Sequence, residues 1–180
     1  MATDRNAEVV WHGSLMDGEG TIVRLKDQDR GLWNQEMIQL GIQHLAKAAA
    51  GEHLSEYHLQ AGIAAYHCTA SNYASTNWPA ILAQYDRWMQ MTDSPIVALN
   101  RAVALSKVNG PQAGLEAVQA VANRKQLESY YLTYAVLGEF ESQLGRYEEA
   151  TAHLRKALQL TELKSERSFL SKRLQEFDSR

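Results

Sequence analysis

Apolar residues recur along most of this chain three and four positions apart, with polar residues between them, which is the period of an amphipathic helix. The spacing predicts a first helix over 31–50, where Trp33, Met37, Leu40 and His44 share one stripe and Gly51 is placed to end it. A second is predicted over 56–69 with Ser55 as its N-cap, and a third from "TNWPA" to Met91, where Asn77 caps and Pro79 is tolerated in the first turn. Ser94 and Pro95 open a fourth helix, since proline at the first helical position loses no hydrogen bond. "NGP" at 109–111 breaks it, and a fifth helix runs to 122. The sixth and seventh cover 127–143 and 147–161 around Gly145, and the eighth runs from Ser165 to Phe177. Residues 1–30 differ: "DGEG" at 17–20 is a turn cluster, and "TIVRL" after it alternates as a short extended segment does.

Helices of this length joined by short turns imply an all-α fold of stacked antiparallel hairpins, so a repeat is the next thing to seek. In "YAVLGEFESQLGRYEEATAHLRKAL" (134–158), Tyr134, Leu137 and Gly138 take the W-x2-L-G places of the tetratricopeptide pattern, and Ala150, Leu154 and Ala157 its later small, large and small places. Glu141 stands where an aromatic is usual and Glu162 where proline is usual. A weaker copy lies upstream, with Ala102 in the small position and Gly110 to Gly114 at the turn, and residues 55–91 form a more degenerate unit. The expected organisation is an N-terminal segment, 1–30, packed on a tetratricopeptide-like right-handed superhelix, 31–180, of about eight helices. Its clearest repeat is 131–164, and 165–177 is a capping helix.

Composition narrows the classes of function. With 45% hydrophobic and 22% charged residues, the 180-residue chain can bury a sizeable core. A net charge of −3 argues against a dedicated nucleic-acid surface, which needs clustered Lys and Arg. The single Cys68 allows no internal disulfide and suits a reducing cytoplasm. No run reaches the roughly 20 apolar residues that span a bilayer, and "MATDRNAEVV" lacks the pattern of a secretion signal.

"SPIVALNRAVAL" (94–105) is so apolar that Asn100 and Arg101 at its centre need partners, because a buried charge without one is costly. A buried arginine calls for a carboxylate, and "DQDR" supplies Asp27 and Asp29. One of these is expected to pin the N-terminal segment across the helices through Arg101, with Asn100 satisfying backbone groups nearby. An anion pocket around Arg101 is the alternative, and acid–base work by the two aspartates has no histidine or nucleophile to complete it. His53, His58, His67 and Cys68 lack metal-ligand spacing, so neither a metal nor a cofactor is expected. There is no G-x-S-x-G, Walker loop or G-x-G-x-x-G. Most aromatics fall on apolar stripes as core. Tyr85 and Trp88, three apart, and Phe169 and Arg173 on the last helix are the candidates for a partner-binding surface.

Several segments occur together in a specific order: "LKDQDRGLWN" (25–34), "YHLQAGIAAYH" (57–67), "TNWPAILAQYD" (76–86), "SPIVALNRAVAL" and "GPQAGL" (110–115), then "LGRYEEA" (144–150) and "ERSFLSKRL" (166–174). Across residues 22–177 the chain resembles the C-terminal tetratricopeptide-like extension of bacterial extracytoplasmic-function RNA polymerase sigma factors. The family's two DNA- and polymerase-binding regions are not in this sequence, and Asn77 and Gly62 replace Asp and Ala. The resemblance implies a non-catalytic regulatory domain whose partners are the sigma regions or RNA polymerase, with no direct contact to DNA or membrane. A stand-alone helical adaptor unrelated to transcription and a small-molecule-sensing helical domain are the alternatives.

Overall fold

The computed structural model describes residues 7–12, 19–51, 53–121 and 124–178. Among these residues the body of the chain is eight α-helices, preceded by one two-stranded hairpin. Strand β1 (Ala7–His12) pairs antiparallel with β2 (Glu19–Arg24), Ala7 lying opposite Arg24 and His12 opposite Glu19. The expected extended segment is therefore β2. Its partner strand was not foreseen, although "AEVVWH" carries the β-branched residues that favour one. Of the turn cluster at 17–20, residues 17 and 18 lie outside the described residues and 19 and 20 open β2.

Single 3-10 turns follow at Leu25–Asp27 and Arg30–Leu32. Helix α1 is Gln35–Ala49 and starts four residues later than its periodicity suggested. Asp29 and Asn34 account for this, since each side chain accepts a backbone N–H: Asp29 from Gly31 at 2.9 Å and Asn34 from Met37 at 3.0 Å. Helix α2 is Glu56–Thr69, where His58 Nδ1 accepts the Ser55 amide at 3.1 Å, the role usually given to Glu or Gln in a capping box. Helix α3 is Trp78–Met89, capped by Asn77 accepting from Ala80 at 3.1 Å. Helices α4 (Pro95–Asn109) and α5 (Pro111–Gln119) are separated by Gly110 alone, whose φ of 89° is a conformation that only glycine adopts cheaply. Helices α6 (Tyr131–Gln143), α7 (Tyr147–Leu160) and α8 (Lys164–Asp178) complete the chain. Part of the span predicted to begin α6 is instead a 3-10 turn, Arg124–Leu127, anchored by the fully buried Leu127.

The chain divides into two compact units, residues 29–122, and residues 1–28 with 123–180. This differs from the expected division into 1–30 and a continuous 31–180. In the first unit α1 to α5 pack each against the next, around Ile63, Ile81, Tyr85, Val97 and Ala104. Trp78, Leu82 and Trp88 close over that core. In the second unit α6, α7 and α8 pack in succession around Ala150, Leu154, Ala157, Leu170 and Phe177, and β2 lies against α8. Burying a side chain such as Leu154 or Leu170 contributes about 1.5–3 kcal/mol.

The turn between α6 and α7 ends α6 with a Schellman motif. Gly145, at φ 78°, donates to Ser142 O at 3.1 Å, and Arg146 donates to Glu141 O at 2.9 Å. The pair it joins is close-packed: a Cβ at Gly138 would lie 3.1 Å from both Ala150 O and Leu154 Cγ.

Candidate functional site

Helix α4 buries Val97, Leu99, Ala102, Ala104 and Ser106, so little of its circumference is left for polar groups. Arg101 emerges half-buried and its Nε donates to Asp86 Oδ1 on α3 at 2.6 Å. Asn100 is half-buried beside it. The expected pairing with Asp27 or Asp29 is thus replaced by one across the α3–α4 hairpin. Asp27 is taken by Arg24, three residues away, and Asp29 by the amide of Gly31. Local partners won because a short turn presents them without ordering a longer stretch of chain. With side chains 34% and 46% exposed, Arg101 and Asp86 form a rim ion pair.

Pinning of the residues before α1 does occur, through a residue that the sequence reading passed over. Arg30 Nη1 donates to two carbonyls at the end of α2, His67 O at 2.6 Å and Ala70 O at 2.7 Å. These belong to the orphan acceptors that every helix C-terminus leaves, and a cation is favoured there by the helix dipole. The guanidinium also lies 4.9 Å from the Trp33 ring centroid. Next to His67, Cys68 is half-buried; burial pushes its thiol above the ordinary range, and the nearby Arg30 charge offsets part of that. The signal that could have found this clamp was the arginine in "DQDR", directly after the two aspartates.

The four candidate partner-binding residues are largely committed within the fold. Tyr85 belongs to the buried core and stacks on half-buried Trp88, their rings 5° from parallel and 6.1 Å apart. Phe169 packs on the α7–α8 core. Arg173, 13% exposed at its side chain, sits between two carboxylates: Nη2 donates to Glu139 Oε2 on α6 at 2.5 Å, and Nη1 donates to Glu176. Its guanidinium lies 5.0 Å from the Phe177 ring centroid. Burial pushes the Glu139 carboxyl upward, but Arg173, a hydrogen bond from Gln143 and Lys26 together outweigh it and hold it below the ordinary carboxylate range. This node ties α8 to α6.

Glu141, flagged in the sequence as a departure, is 7% exposed and pairs with Arg146 Nη1 at 3.2 Å across the α6–α7 turn. Among the described residues no three His, Cys, Asp or Glu side chains come together as a metal site, and no helix is long and apolar enough to cross a membrane.

No family model matches the chain. It is similar to an uncharacterized protein of Rhizobium meliloti (strain 1021), 36% identical over 158 residues, which are 88% of this chain and 37% of that protein. The chain therefore spans well under half the length of the curated relative it matches. No solved structure matches it.

Proposed function

We propose that this chain is a non-catalytic regulatory domain of an extracytoplasmic-function-type sigma factor, acting in the cytoplasm through contacts with the sigma regions or RNA polymerase. The observation that carries the reading is the ordered set of segments from "LKDQDRGLWN" to "ERSFLSKRL". Those segments coincide with fold-defining features. "DQDR" supplies the Arg30 clamp, "AQYD" and "ALNRA" the Asp86–Arg101 pair, "LGRYEEA" the α6–α7 turn, and "SKRL" the Arg173 node. Two further facts support it. Close packing of Gly138 on Ala150 and Leu154 is what a tetratricopeptide-like superhelix requires at that position. The Rhizobium meliloti relative extends well beyond the matched stretch, leaving length for other regions.

In this reading the domain touches neither DNA nor membrane, and its charged side chains brace the helices. The test is co-purification of the tagged chain with RNA polymerase core and, separately, with the sigma regions of a factor that carries a similar extension. Recovery of either supports the reading. Recovery of neither, where the full-length factor recovers polymerase, removes it and leaves the stand-alone adaptor and the small-molecule-sensing domain.

A further inference from the structure

Helix α1 is amphipathic yet contains no buried residue. It packs against α2, and Ile38, Ile42 and Leu45, all half-buried, share one of its faces. A second apolar stripe on the adjoining face, Met37, Leu40 and Gly41, points into water, with Met37 61% and Leu40 45% exposed. Gly41 is in the helix interior, where glycine costs about 1 kcal/mol relative to alanine. A Cβ there would meet nothing within 4 Å, so this fold itself does not require the glycine. A glycine amid exposed apolar residues at mid-helix is where a second helix can approach closely.

The charges say which helix. Glu36 in the first turn and Lys47 in the last are both exposed and lie about three turns apart, on the same flank of the stripe. They are evenly placed about the helix midpoint at residues 41 and 42. An antiparallel copy of α1 crossing there puts each Glu36 opposite Lys47 of the second copy, twice over, while a parallel two-fold copy sets equivalent charges level on opposite sides of the seam and gives neither a partner of the other sign. We infer that α1 is the contact of a two-fold homodimer, with Gly41 at the crossing and Met37 and Leu40 packed across it. The contact is isologous, as closed dimers require. Two helices of this length in contact bury on the order of 1,000 Å², the least that a specific interface needs.

Sedimentation equilibrium of the full chain across the micromolar range tests this, with far-UV circular dichroism to confirm folding of each variant. The chain is expected to show a monomer–dimer equilibrium. Met37→Glu with Leu40→Glu, both at exposed positions, should raise the dissociation constant by about tenfold or more. Glu36→Lys and Lys47→Glu should each weaken the dimer, and the two together should restore it to within about threefold of the original. A monomer throughout the range overturns the inference. So does a dimer indifferent to the two glutamates, or a double charge swap no better than either single one.

Discussion

Arg30 Nη1 stands 2.6 Å from the carbonyl oxygen of His67, 37 residues further along the chain, and thereby fixes the approach to α1 against the end of α2. A second carbonyl, that of Ala70, shares the same nitrogen. Arg30→Met removes two charge-assisted hydrogen bonds and strands their acceptors, so urea denaturation should show a loss of about 2–3 kcal/mol. Arg30→Lys should recover only part of this, because an ammonium cannot cover both carbonyls and stack on Trp33 as a planar guanidinium does. The Met variant should also push the Cys68 thiol further up, slowing its reaction with a thiol reagent at neutral pH.

The two long-range arginine pairs should differ in weight. Arg101 and Asp86 are 34% and 46% exposed, and solvent screens them, so Arg101→Met should cost no more than about 1 kcal/mol. Arg173 is 13% exposed and serves two carboxylates. Its loss leaves Glu139 facing Glu176 with no guanidinium between them. After discounting for their partial exposure, Arg173→Met should cost about 2 kcal/mol. Parallel denaturant titrations of the two variants check the order; an equal or reversed cost would contradict it.

Gly138 and Gly145 should resist substitution for different reasons. At Gly138 a methyl group gains about 1 kcal/mol of helix propensity but meets Ala150 O and Leu154 at 3.1 Å, and overpacking of about 1–3 kcal/mol should win. At Gly145 nothing lies within 4 Å of an added Cβ, and the cost is the φ of 78°, about 1 kcal/mol. Gly145→Asn should therefore be better tolerated than Gly145→Ala, whereas Gly138→Asn should be worse than Gly138→Ala. Thermal denaturation of the four variants distinguishes the two causes.

Acid should weaken the protein in two windows. Burial holds the His153 imidazole below its ordinary value of about 6.5, with Glu141 and Glu149 offsetting only part of that. Because the unfolded chain takes this proton first, stability should begin to fall as pH drops below about 6.5. Glu139, depressed by Arg173 and its neighbours, acts lower: its contribution is complete above its unfolded value of about 4.3 and is lost as pH falls through the folded value. His153→Gln should flatten the upper window alone, and Glu139→Gln the lower alone, in denaturation midpoints followed from pH 8 to 3.

Much of the helical layout was legible in the sequence because its signals are local. Caps at Asn77 and Ser55, prolines at 79, 95 and 111, and glycines at 110 and 145 act through their own turn of backbone. Helix ends deviated where another local device intervened: Asn34 delayed α1, and the 3-10 turn ending at Leu127 shortened the start of α6. The need of Arg101 for a carboxylate was legible too, but its partner was not. Periodicity says which face a residue occupies, not which of several acidic residues faces it from the next helix. Asp86, on the preceding helix at a separation of 15 residues, met that need.

The sequence alone determined that the chain forms helices in hairpins, where α4 and α5 divide, and which small residues sit at the α6–α7 contact, since spacing and backbone chemistry suffice for these. The tertiary structure decided that Arg30 is the clamp, that Arg173 and Tyr85 face inward, and that Met37 and Leu40 face outward. Each depends on groups brought together from distant parts of the chain, and burial and pairing are properties of that assembly, not of a residue and its neighbours in sequence.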